Sequence, residues 1–183
     1  MSKFTDRTNS ALLVIDVQVG VVGEAFERDS KVANMSKAID KARAESIPVI
    51  WVQHSDEGLV LESADWEIVP ELSPLPSEPK VRKLYRSSFE DTNLEEILKD
   101  LGVSHLYVCG AETNNCVRHT SHTALEKGYD VTLISDAHTT TGFEWDGYIV
   151  DAARVIDEQN INFMDYSLPG RSARAVSVTE LSF

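Results

Sequence analysis

The sequence predicts an α/β fold of three layers, a mainly parallel sheet with helices on both faces. Three observations carry this. Several short runs are apolar at every position, as strands buried on both faces are. Segments with apolar residues at helical spacing alternate with those runs. The 183 residues are enough for one sizeable core, and no repeat, low-complexity tract or linker divides them, so a single domain over 1–183 is expected.

Taken in order, Ala11–Val17 is an apolar run broken by Asp16 and reads as the first strand. Residues 29–46 follow as a helix, with Val32, Met35, Ala38, Ile39 and Ala42 recurring at three and four. Ile47–Gln53 reads as the second strand. Residues 54–92 are proline-rich and weakly periodic, an irregular excursion with at most one short helix; excursions this long are usually functional or disordered. Asn93–Leu101 reads as a helix capped by Asn93. A strand near 104–109, a helix near 115–127 and a strand over 131–135 come next. Residues 144–165 place Ile149, Ala152, Ala153, Ile156, Phe163 and Met164 on one helical face and predict one long helix, with a strand at 162–164 as the alternative. A last strand covers 173–178.

Charge and cysteine use narrow the function. The net charge of -13 argues against nucleic acid or an anionic membrane as partner, since both select basic patches. No run is long and apolar enough to span a bilayer. The first residues show no signal-peptide pattern, and the two cysteines flank one loop, so a cytoplasmic protein with free thiols is expected.

One of those thiols is a candidate nucleophile. The apolar run before Gly110 and the helical pattern after Asn115 make a strand–loop–helix corner. Thr113 and Asn114 are good cap residues, which puts Cys116 in the first turn of the helix, at the carboxyl edge of the sheet where open α/β folds bind ligands. Backbone N–H groups there favour a thiolate. Cys109, inside the strand, reads as a small buried hydrophobe. Asp16 is a carboxylate in an apolar strand, a costly placement unless it is paired. It reads either as a working acid or as a solvated strand-end residue. Lys83 lies among Lys80, Arg82 and Arg86 in the excursion, and composition alone does not select it.

Three segments together resemble the isochorismatase-like cysteine hydrolase family: the strand ending Asp16-Val17-Gln18, then Lys83 followed by Ser87-Ser88-Phe89, and Gly110-Ala111-Glu112-Thr113-Asn114-Asn115-Cys116-Val117, which is similar to the family pattern G-x-x-T-x-x-C-V. The similarity runs from about residue 10 onward. It implies a catalytic triad of Asp16, Lys83 and Cys116 that hydrolyses a small amide or other C–N bond through a thioester. It also implies an oxyanion hole from the backbone N–H groups of Glu112 and Cys116, and a cis peptide between Ala111 and Glu112. Lys83 is expected to lower the thiol pKa by holding carboxylate and thiolate together.

The resemblance implies no cofactor and a homo-oligomer, a dimer or larger, with a small-molecule substrate as partner. Nicotinamidases of the family bind a metal after the second strand; Gln53-His54-Ser55-Asp56-Glu57 does not repeat that ligand pattern, so no metal is expected. Val21, Trp66, Tyr85, Phe89 and Asn115 are candidates for the substrate pocket, with plain packing as the alternative for each. His119 and His122, one turn apart, read as helix-surface residues, and His138 as a strand-end cap. Two other readings of the whole chain stand beside amide hydrolysis: vinyl ether hydrolysis of isochorismate, in which Asp16 protonates substrate, and a non-catalytic binding or scaffold protein that retains the triad. A redox role for Cys116 is a further option.

Overall fold

The computed structural model describes residues 2–183. Six strands form one parallel sheet in the order β3-β2-β1-β4-β5-β8: β1 (Asn9–Ile15), β2 (Val49–His54), β3 (Lys80–Lys83), β4 (Val103–Ala111), β5 (Asp130–Thr139) and β8 (Ala173–Val176). The alternation along β1 sets up two cores. Leu12 and Val14 face α2 (Arg28–Ala44), which follows the one-turn helix α1 (Val19–Val22), and the segment 177–183. Ala11, Leu13 and Ile15 face α3 (Leu94–Asp100), α4 (Arg118–Lys127) and Phe163 of α5 (Ala152–Asp165). This is the three-layer α/β architecture the apolar runs predict.

Local chemistry explains the element ends. Helix α4 stops at Gly128, whose φ of +113° lets its N–H reach the carbonyls of Ala124 and Leu125. Helix α5 starts at Asp151, whose carboxylate accepts the N–H groups of Ala153 and Arg154. No helix among the described residues is long and apolar enough to cross a membrane.

One expectation fails and one strand appears that the sequence does not predict. The long helix over 144–165 is instead a hairpin, β6 (Phe143–Trp145) and β7 (Tyr148–Val150), followed by α5. Asp146 and Gly147 both take positive φ, the geometry of a tight two-residue turn, and this breaks the helical run. The excursion 54–92 holds no helix and contributes the edge strand β3. It is nonetheless tied down. Val69 N–H donates to Val17 O, Val19 N–H to Glu67 O, and Gly20 N–H to Asp65 O, all at 2.8–3.0 Å. Glu78 receives the indole N–H of Trp51 and pairs with Arg43.

The sheet reverses its winding at β1, which lies between β2 and β4, and a crevice opens there at the strands' carboxyl ends. Gly110 of β4 stands opposite Ile15 of β1, so the residues that follow them emerge side by side.

Candidate active site

Asp16 follows β1 directly and takes a left-handed φ of +50°. Lys83 is the last residue of β3, and Cys116 lies in the turn after β4. The structure brings all three together. Lys83 Nζ donates to Cys116 Sγ at 3.1 Å and to the Tyr85 carbonyl at 3.0 Å. It also stands 2.7 Å from Asp16 Oδ2. That last contact joins opposite charges, and both Asp16 oxygens are buried. Asp16 and Lys83 are each 1% exposed, so the pair is screened from water, and Cys116 is only half-buried.

Burial dominates the proton affinities. It raises the Asp16 carboxyl above its ordinary value, against the pull of Lys83. It also pushes the Cys116 thiol up, to about 12, with the Asp16 charge acting in the same direction and Lys83 opposing. The expected lowering of the thiol pKa is therefore not what the resting site does. Desolvation and a neighbouring carboxylate outweigh one ammonium.

Cys116 does not lie in the first turn of an α-helix. Thr113–Val117 is a single π-helical turn, and α4 begins only at Arg118. The Glu112 carbonyl accepts the N–H groups of Asn115 at 3.1 Å and Val117 at 3.2 Å. Thr113 and Asn114 make no cap. Thr113 Oγ1 instead bonds His138 Nδ1 at 2.9 Å, and Asn114 Oδ1 accepts from Thr140 Oγ1 at 2.7 Å. The Ala111–Glu112 peptide is cis. Glu112 is held by Asn115 Nδ2 and Thr141 Oγ1.

Two further side chains support this loop. Fully buried Gln18 accepts from His54 N and donates to the carbonyls of His54 and Trp66, joining the ends of β1 and β2 to the excursion. His138 is wholly buried, hydrogen-bonded to Thr113 and to Asn160, and burial holds its pKa down at about 4. It is a neutral brace for the cysteine turn. The polarity of Gln18 beside Asp16 was the available sign; His138, read from sequence as a strand-end cap, lies within β5 and instead joins Thr113 to Asn160.

The five pocket candidates separate. Val21 lines a cavity of about 310 Å³ with Gly20, His54, Leu59 and Glu112. Asn115 lines a different one with Arg86 and Arg118. Trp66 is buried and borders a third cavity by Gln53 and Arg82, beside the excursion. Tyr85 is exposed and contributes its carbonyl to Lys83. Phe89 packs on Tyr129 in the core, with Lys127 over its ring, and lines none of these cavities. His54 Nε2 meets Asp56 Oδ2 at 3.0 Å, and no group of three or more potential metal ligands occurs among the described residues. His119 bonds the Asn115 carbonyl, and His122 meets Phe163 edge-on and Tyr166 at a tilt.

A family model described as "Isochorismatase domain" matches residues 10–157. Two streptothricin hydrolases of Streptomyces noursei are 36% identical over 140 and 137 residues, 73% and 71% of this chain. The matched parts are 56% and 49% of those proteins, so the chain spans about half the length of these relatives. Nicotinamidase 3 of Arabidopsis thaliana is 32% identical over 150 residues, 72% of this chain and 73% of that one. The crystal structure of an isochorismatase from Pseudomonas putida KT2440 superposes with a TM-score of 0.84 at 25% identity, covering 95% of this chain and 90% of that one. With the family model matched over most of its length, the chain belongs to the isochorismatase family of hydrolases.

Proposed function

We propose that this chain hydrolyses a small amide or other C–N bond through a thioester on Cys116. The observation that carries the reading is the single ammonium of Lys83, 2.7 Å from Asp16 and 3.1 Å from Cys116 Sγ, with the Asp16–Lys83 pair buried and the sulfur half-buried. The names of the nicotinamidase and streptothricin hydrolase relatives are compatible with it.

The steps follow from the charges. The resting thiol is a poor nucleophile, and Asp16 is the base within reach. Asp16 takes the Sγ proton as sulfur attacks the carbonyl carbon, and Lys83 stays beside both the anion lost and the anion formed. The tetrahedral oxyanion is received by the backbone N–H groups of Glu112 and Cys116. As the C–N bond breaks, Asp16 returns the proton to the departing nitrogen, releasing ammonia or an amine. Water then attacks the thioester while Asp16 removes its proton. The C–S bond breaks, a carboxylic acid leaves, and the proton goes back to sulfur. A carboxyl whose proton affinity is raised by burial suits a group that must both accept and return a proton.

Ammonia release from a panel of nicotinamide, carbamoyl and ureido compounds, with Cys116→Ala as control, tests this. Release by the native protein alone supports it. Silence across the panel, with turnover of isochorismate, replaces amide by vinyl ether hydrolysis.

A further inference from the structure

A cavity of about 530 Å³ adjoins the Cys116 turn, bounded by Asn115 on one side and Arg86 on the other. Asn115 directly precedes Cys116, and Arg86 directly follows Tyr85, whose carbonyl accepts from Lys83. The cavity also has Arg118, Arg154 and an apolar side made by Phe143 and Val150.

Its charge is unusual for this chain. Acids outnumber bases 30 to 17, yet three guanidinium groups meet here against one carboxylate, Glu158. Arg118 is already engaged: it pairs with Glu158, and its Nε donates to Gln159 Oε1 at 2.6 Å. Asn114 and Asn115 are committed to Thr140 and Glu112. The exposed guanidinium groups of Arg86 and Arg154 have neither an ion-pair nor a hydrogen-bond partner among the described residues. The donors left over are thus two cations on separate elements, facing one space beside an apolar wall.

Building on the proposed amide hydrolysis, we infer that this cavity is an anion subsite and that the substrate is an amide carrying a carboxylate or phosphate on a short apolar body. Arg86 and Arg154 clamp the anion; the hairpin strands β6 and β7 supply the wall against which the body lies. These are binding residues that set specificity, and the bond cleaved stays at Cys116.

Two readouts separate this inference from the reaction itself. The first needs no turnover: rates of alkylation of Cys116 by iodoacetate and by its neutral analogue iodoacetamide, read by mass spectrometry of the Cys116 peptide. Cys109 is wholly buried and serves as internal reference. The iodoacetate-to-iodoacetamide ratio should exceed that of 2-mercaptoethanol by about tenfold, and fall by about as much in Arg86→Gln and in Arg154→Gln. Competition by acetate and by inorganic phosphate tells the two anions apart. A native ratio equal to that of 2-mercaptoethanol, or one unmoved by both substitutions, overturns the subsite. The second readout is kcat/KM for succinamate against its methyl ester, with the preference for the anion expected to collapse in the same variants. If neither is hydrolysed while the alkylation ratio depends on the arginines, the hydrolase reading fails and the subsite stands. Equal turnover of both with a flat ratio leaves the hydrolase and removes the subsite.

Discussion

Gly110 is pressed against Ile15 where β4 pairs with β1. A Cβ on Gly110 would fall 2.0 Å from the Ile15 carbonyl oxygen and 2.7 Å from its nitrogen, and the glycine φ is +126°. Both neighbours are backbone, so nothing flexible can give way. Gly110→Ala should cost at least about 3 kcal/mol or prevent folding, from overpacking and strained backbone together. Urea denaturation checks this; a loss under about 1 kcal/mol would mean the strands part more easily than their contact suggests.

Lys83 stands 2.7 Å from a carboxylate that is 1% exposed. Lys83→Met should destabilise the fold by about 3–5 kcal/mol, since a buried charge left alone is costlier than a pair removed. The double variant Lys83→Met with Asp16→Asn should recover much of that loss while remaining inactive. Equal stability of the single and double variants would show that Asp16 simply takes up a proton when its partner goes.

Asp16→Asn separates thiol reactivity from catalysis. After burial, the Asp16 charge is the next cause holding the Cys116 thiol up at about 12. Removing it should lower the thiol pKa and speed alkylation at neutral pH, while abolishing amide hydrolysis by removing the base. A variant that loses both together would place Asp16 on the side of activating the thiol at rest.

His138 ties stability to pH. Its pKa is about 4 when folded against an ordinary 6.5, because burial disfavours the charged ring. The unfolded chain therefore binds this proton first. The contribution is complete above about pH 6.5 and is lost as pH falls toward about 4, amounting to about 3 kcal/mol. Denaturation midpoints across that interval should fall in the native protein and flatten in His138→Gln. Parallel slopes would assign the acid loss to other groups.

Much of the sheet was legible because strands buried on both faces leave continuous apolar runs, as in residues 11–15 and 49–52. The segments bearing Asp16, Lys83 and Cys116 were legible through their motifs, and Lys83 through resemblance alone. Other features depended on what the sequence does not display. The Asp146-Gly147 turn signal was present, but the apolar spacing from Ile149 onward masked it. Strand β3 is four residues long and only alternately buried, too short to rise above its surroundings. The Cys116 turn is braced by Thr113 meeting His138, 25 residues away. The direction of the thiol's proton affinity depends on how deeply three separate segments bury one another.

The parallel order β3-β2-β1-β4 has a consequence for how the protein is made. Asp16, Lys83 and Cys116 reach one another only after three distant stretches of chain have paired through β1 and β2, so no local fragment holds the site. Closing such loops costs entropy before any contact repays it, and chains dominated by non-local pairing fold slowly. Shielding of the Cys116 thiol should therefore emerge late in refolding, with completion of the sheet. A single sulfur atom becomes a timer for the assembly of the whole chain.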